Sequence, residues 1–543
     1  MTSRRGPIVL VLLFLVAGLA GAPAVAADAD AWRLALREAV ALALERNLDL
    51  AVSRVGPKLA EQDESIARAD FDPSLTGRVS HDESEEEPTS VFSRQGSTLD
   101  QFQITWNDPT QVGGNLQASL SYRDAADQYS QEAIERFNIV PSSQVATLSL
   151  SYTQSLLRNL GLSINRTAIE QASISRRISE HQLRATMLRV VEETIRAYWN
   201  MVGAEQSLEV ARQSLDLARD FLEQTRVKVE VGTLPPIEVT TAEAEVASRE
   251  EAVILAETEL ERTRDVLRQL IRVPDGSPDW LRPIEPLDKP GFSPRDVRVE
   301  TAIATALERR PDIAEVDLRL RNAELSARYQ RNQTRPDLSV TGSYSATGNS
   351  FDYLPQTVTQ QVFDPGPDGI PGTPDDVGFV NQQVVQFFPF QQGSSEAFRE
   401  IPDLDNTFWS VRLDLTIPIR NRRARAQFAR ARLAVEQARL NAEAARLAAR
   451  VEVRDAVRNL QAAARRVDSA RANLVLQRRK LEAEQKRYEN GLSTAFQVLE
   501  FQNDLREAEQ REIQAIIDYN NAEVALERVQ ATLLDEIVGD DGR

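Results

Sequence analysis

At 543 residues with a formal net charge of −18, the chain is long enough for several domains and too acidic to suit nucleic acid. With no cysteine and two histidines, it has no disulfide framework and no lipid-acceptor cysteine, and the isolated His81 and His181 make a zinc site improbable. No Gly-rich phosphate loop, nucleophile elbow or catalytic carboxylate pair stands out, so no catalytic, cofactor or metal residue is assigned and an enzyme is not expected.

Residues 1–27 carry Arg4 and Arg5, an apolar run from Ile8 to Leu19 and the small-residue stretch Ala24-Val25-Ala26-Ala27. This layout predicts a secretory signal peptide, hence export. Beyond it no run of 18 apolar residues remains, so no transmembrane helix is expected.

Strand-like alternation follows. Leu75, Gly77, Val79 and His81 face one way, and the same period of two recurs through Phe102, Ile104 and Trp106, through Leu116, Ala118, Leu120 and Tyr122, and through Ala146, Leu148, Leu150 and Tyr152. Four strands are predicted at 74–82, 99–107, 114–123 and 145–156. The connections 83–98 and 124–144 are long and polar and 108–113 is short, as in barrels with long external loops and short periplasmic turns. From Ser163 to Val229 the period becomes helical, with Leu208, Ala211, Leu215, Ala218, Leu222, Thr225 and Val229 stepping by three and four. A helix of ~65 residues reaches ~100 Å and needs neighbours to cover its stripe. It stops at Gly232-Thr233-Leu234-Pro235-Pro236, where glycine tolerates the left-handed turn and proline suits the next helix start; that helix runs to about Ile271.

The second half repeats the first. Ala43-Leu44-Glu45-Arg46 returns as Ala306-Leu307-Glu308-Arg309 at an offset of 263 (306 − 43), and Gly232 as Gly491 at 259 (491 − 232). The seam reappears as Val467, Ala470, Leu474, Gln477, Leu481, Glu484 and Tyr488. Strands are predicted at 337–347 and at 407–419, where Trp409, Val411, Leu413, Leu415, Ile417 and Ile419 alternate with polar residues and Pro418. The expected organisation is a first repeat 28–271 with strands in 74–156 and a helical hairpin 160–271, a linker 272–295, a second repeat 296–536 with helices 297–335 and a hairpin 420–536, and a tail 537–543. A long external connection, 348–406, is expected to be turn-rich or disordered. Its Asp364 and Asp368, with Asp375 and Asp376, lack EF-hand spacing, and whether they bind calcium is left open.

Alternating strands, one face apolar and one polar, suit a wall between lipid and water, and only a closed barrel leaves no unpaired edge there. One chain offers too few strands for a wide aqueous pore, so several must share it. The doubled order of helices, strands, very long helix, glycine turn and helix resembles the TolC-like outer-membrane efflux proteins over essentially the whole mature chain. The turns Val231-Gly232-Thr233 and Asn490-Gly491-Leu492 and the junctions Thr153-Gln154-Ser155-Leu156-Leu157 and Thr416-Ile417-Pro418-Ile419 carry the likeness.

The resemblance implies an α/β membrane protein of two tandem structural repeats: a homotrimer with a 12-stranded barrel, about four strands per protomer, in the outer membrane of a Gram-negative bacterium, continued by an α-helical coiled-coil tunnel through the periplasm. It implies an exit duct of a tripartite efflux pump or type I secretion system, with outer-membrane lipid, a periplasmic adaptor and an inner-membrane transporter as partners and no cofactor. Gating residues carried over are Glu238, Tyr488, Gln497 and Glu500, and the docking tips Gly232, Thr233, Gly491 and Leu492. Ser493 stands where the family pattern has an arginine two residues after the second glycine, and Gln497 where it has an acid, so an interchain salt bridge at the gate is not expected. Local roles compete: Thr494 and Gln497 have capping-box spacing, Glu238 lies in a first helical turn, and Tyr488 occupies a seam position. The hairpin 99–123 leans towards an external flap, on the reasoning that 18 wall strands would mismatch a 12-helix tunnel. The alternative to a channel is a periplasmic coiled-coil scaffold with a soluble β-domain.

Overall fold

The computed structural model describes residues 31–137, 142–367, 369–372, 374, 377–391, 394–404, 406–490 and 492–538. The expected signal peptide lies outside them, as do Gly491, Asp368, Asp375 and Asp376.

The first half runs β1 (Trp32–Leu34), α1 (Leu36–Arg46), α2 (Leu48–Ala69), β2 (Ser74–Glu85), β3 (Gly96–Pro109), β4 (Gly114–Gln128), α3 (Gln131–Phe137), β5 (Ser142–Ser155), α4 (Leu162–Asn165), α5 (Thr167–Glu230) and α6 (Ile237–Leu270). After β6 (Ile284–Pro286), which pairs in parallel with β1, the second half runs α7 (Val299–Arg309), α8 (Pro311–Gln333), β7 (Asp337–Asn349), β8 (Phe351–Asp364), β9 (Gly378–Gln391), α9 (Ser394–Arg399), β10 (Thr407–Thr416), α10 (Arg422–Glu489), α11 (Ala495–Gln530) and α12 (Leu533–Val538). The duplication survives in dimensions: α5 and α6 have 64 and 34 residues, α10 and α11 have 68 and 36. The expected second hairpin ends sooner than 536, because Ala531 adopts φ +58° and breaks α11 from α12.

Six strands form one antiparallel sheet in the order β10-β7-β5-β4-β3-β2. The hairpin β3–β4 sits inside it, between β2 and β5, which corrects the leaning towards an external flap. Register explains why. Leu75, Trp106, Ala118, Leu150, Tyr344 and Trp409 lie opposite one another across all six strands, so displacing the hairpin would open the apolar face in the middle. On the other face Ser and Thr form cross-strand ladders: Ser119–Ser149 Oγ atoms are 2.6 Å apart, Thr153–Thr341 3.0 Å and Ser343–Ser410 2.7 Å. The connection 348–406 has structure of its own, since β8 and β9 pair along their length as a separate ribbon. Near one end of the sheet α9 lies on the apolar face, with Ala397 and Ile401 against Ala146 and Ala346 and the Phe398 ring stacked 5.3 Å from Tyr122.

The long helices pack as expected from their seams. Leu208, Ala211, Leu215, Ala218 and Thr225 are buried on α5, with Leu222 and Val229 half-buried; Val467, Leu474, Leu481, Glu484 and Tyr488 are buried on α10. Ion pairs run along the hairpin edges: Arg212–Glu257, Arg219–Glu250 and Arg226–Glu243, at 2.8–2.9 Å, repeat every seven residues, so they hold one antiparallel register. Each is exposed and worth only ~0.2–1 kcal/mol, so they choose alignment more than they add stability.

Beside the sheet the helices lie side by side in the order α2-α5-α8-α10; towards the tips the order is α6-α5-α11-α10. Where α8 gives way to α11, a charge network joins four helices: Arg528 binds Glu192 at 2.6 Å and Glu452 at 3.1 Å, and Arg310 binds Glu452 and Asp312, both at 2.7 Å. The largest core lies in this zone, with Leu34, Val40, Leu188, Tyr198, Met201, Leu267 and Ile284 buried between α5, α6, α1 and β6. Tyr198 donates a hydrogen bond to the Leu34 carbonyl or Asp288 Oδ2, 3.0 and 2.9 Å away, pinning the 284–288 strap to α5.

Candidate functional site

The candidate gate and docking residues gather where the two long hairpins turn. At the first tip α5 ends and Gly232 adopts φ +79°, a conformation that costs an L-residue ~1–2 kcal/mol. A Cβ there would touch nothing, so backbone conformation and not space demands glycine. The Thr233 amide donates to the Lys228 carbonyl at 2.8 Å and the Thr233 hydroxyl to the same oxygen at 2.7 Å, satisfying the end of the helix. At the second tip the Leu492 amide donates to Arg487 O at 2.8 Å, and Thr494 caps α11 by accepting from the Gln497 amide at 3.4 Å. Val231, Ile237, Leu492 and Phe496 stand exposed around both turns.

Tyr488 is 7 % exposed and packs with Phe221, Ala242, Leu481 and Leu499. Its ring lies 5.5 Å from that of Phe221, and Lys228 Nζ sits 4.0 Å from its centroid, linking α10 to α5. Burial pushes its hydroxyl pKa up; Thr225 works against that and the charge of Glu238 with it. Glu238 is half-buried in the first turn of α6, facing this cluster. Gln497 and Glu500 are exposed on α11. The Gln497 Oε1 accepts from the Ser493 hydroxyl at 2.9 Å.

Sequence reasoning missed Glu484 as a polar centre. It is 4 % exposed, and the Ser493 hydroxyl and Arg487, the latter at 3.2 Å, both reach it. The signal was present, since Glu484 is the one charged residue on the seam. Ser493, expected only as a missing arginine, therefore lies between Glu484 and Gln497, its one hydroxyl proton donated either to Glu484 or to Gln497 Oε1. Arg249 was also missed: it is 5 % exposed between α6 and α11, held by Glu245 and Asn503. Beside it Arg506 is pushed down by burial and by the Arg249 charge. The charge of Glu238 thus acts on Tyr488 and Ser493 lies between Gln497 and Glu484, while Glu500 is exposed on α11.

Among the described residues, no group of three or more His, Asp or Glu side chains converges as a metal site, and no helix is long and apolar enough to cross a membrane. The apolar belt belongs to the sheet instead.

The family model described as outer membrane efflux protein matches residues 160–271 and 386–531, the two long hairpins with their turns. The chain belongs to that family. That family is one of outer-membrane transport proteins. No curated protein matches it by sequence. Its fold is that of several solved channels. The Campylobacter jejuni CmeC outer membrane channel is 17 % identical, with 92 % of this chain and 86 % of that one covered and a TM-score of 0.61. The outer membrane protein VceC of Vibrio cholerae is 15 % identical over 91 % and 96 %, with a TM-score of 0.60. The open-state MtrE outer membrane channel of Neisseria gonorrhoeae is 17 % identical over 92 % and 89 %, with a TM-score of 0.57.

Proposed function

We propose that three copies of this chain close into a channel-tunnel serving as the passive exit duct of a tripartite efflux pump or type I secretion system. One observation carries this: among the described residues, both sides of the protomer end in open edges, in the sheet and in the helices. Strands β2 and β10 are the two ends of the sheet. Below them α2 exposes Leu48, Val52, Val55, Leu59 and Ile66, and α10 exposes Leu433, Leu440, Leu447 and Val451, both at heptad-like steps. Nearer the tips α6 exposes Ile254 and Leu255 while α10 exposes Val475 and Leu476. Every edge of one side has an edge of like kind on the other, which is what a closed ring of identical copies requires.

Four helices abreast in three copies make a 12-helix tunnel. The exposed apolar residues at the tips, with the turns at Gly232, Thr233, Gly491 and Leu492, suit docking of a periplasmic adaptor, and an inner-membrane transporter supplies cargo and driving force. Glu238 and Tyr488, and Gln497 with Glu484, hold each tip in its closed packing, and Glu500 projects from α11 where a threefold ring of carboxylates forms on closure.

The test is the mass of the purified protein in mild detergent, with detergent subtracted, together with its fractionation. A heat-modifiable trimer that fractionates with outer membranes is expected. A monodisperse monomer in the soluble periplasmic fraction would establish the coiled-coil scaffold instead.

A further inference from the structure

We infer that the trimer's membrane wall has 18 strands, six from each copy. This rests on the trimeric duct proposed above. Three observations converge on β3 and β4 as wall strands.

The first is pairing: β3 is hydrogen-bonded to β2 from Ser74–Asn107 to Glu85–Gly96, and β4 to β5 from Gly114–Gln154 to Ala126–Ser142, so neither strand has a free edge. The second is surface. Besides the row through Trp106 and Ala118, another runs Gly77, Ile104, Leu120, Leu148, Ala346, giving the hairpin the same apolar face as its neighbours on either side. The third is anchoring of the short turn after β3. The Gly161 amide donates to Val112 O at 3.1 Å and the Ser155 amide to Gly113 O at 3.1 Å, tying this turn to the passage from β5 into the long helix. A Cβ on Gly113, at φ +90°, would fall 2.1 Å from the Asn159 carbonyl oxygen, so the turn is seated against that passage at backbone distance.

The inner face of this wall is rich in uncharged groups, among them Thr76, Thr105, Ser119, Ser149 and Ser345 in a single row. The same face also carries Arg78, Arg123, Arg412 and Asp414, in register with these groups.

Because the chain has no cysteine, single cysteines report single sites. Ile104→Cys and Ala118→Cys, with Leu413→Cys on β10 as reference, are made in the full-length protein and reconstituted in lipid; the heat-modifiable trimer band is checked for each. Labelling of all three by an apolar lipid-phase reagent is expected. Electron microscopy of wild-type trimers in lipid discs, which needs no variant, is expected to give 18 strands in the wall. A trimer in which Leu413→Cys labels from lipid but Ile104→Cys and Ala118→Cys label only from water, or a 12-stranded wall, overturns the inference and leaves the duct intact. Absence of a trimer, or of lipid labelling at Leu413→Cys, defeats the duct itself and the inference with it.

Discussion

Single residues carry two of the arrangement's tightest constraints. Gly203 sits in the middle of α5, where a Cβ would fall 3.1 Å from Ile517 Cγ1 on α11. In a helix interior glycine costs ~1 kcal/mol relative to alanine, so its presence marks a close helix approach. Gly203→Leu should overpack this contact and destabilise by ~1–3 kcal/mol, read as a lower trimer melting temperature. Asp312 is a second case. Burial raises its pKa, but the hydrogen bond and charge of Arg310 outweigh burial and leave it lowered. A lowered carboxylate contributes stability that is present above the unfolded value near 3.8 and is lost as pH falls through the folded one. Its side chain is 52 % exposed, so after solvent screening the expected loss in Asp312→Asn is a few tenths of a kcal/mol. The difference between wild type and variant in melting temperature should shrink as pH drops below about 4; a constant offset from pH 7 to pH 3 would refute the assignment. Neither position was legible in sequence, because what makes each special is a residue more than 130 positions away or a partner whose geometry only packing sets.

At the scale of elements, periodicity located the long helices and the six strands of the main sheet. The seam on α5, the return at Gly232 and the six strand segments could be read directly, since a period of two or of three-and-four is imposed by covalent geometry. Boundaries moved where local chemistry intervened: Ala531 breaks the last helix in a left-handed turn that no sequence motif announces. The β8–β9 ribbon was hidden by the prolines and aspartates of its turn, which read as a loop although the flanking Val358, Val362, Val380 and Val384 pair in register. For the tip, Gly232→Val should strain the turn by ~1–2 kcal/mol and, because the turn is proposed to dock an adaptor, reduce export and adaptor cross-linking at normal protein levels. Unchanged export with full cross-linking would remove docking from this turn. The candidate site was only half legible: Glu238, Tyr488 and Gln497 were named, whereas Glu484 and Ser493 acquire meaning only when the two sides of the turn meet.

For the whole molecule, closure is the central expectation. The exposed stripe of α2 is predicted to cover that of α10 on a neighbouring copy, so Leu59→Glu should place a charge in the seam. The expected result is a shift to monomer by light scattering with helical circular dichroism preserved, since Leu59 is exposed within the protomer. An intact trimer would show that the seam lies elsewhere.

Sequence alone determined the duplication, the two hairpins, the alternating strands and the family resemblance, because each follows from local spacing or from the order of motifs along the chain. Tertiary structure alone decided that the β3–β4 hairpin lies within the sheet, that α8 hands over to α11 along α5, and that Glu484 meets Ser493 at the second tip. All three depend on which strand or helix is adjacent to which, and adjacency is settled by register and packing, neither of which any local pattern encodes.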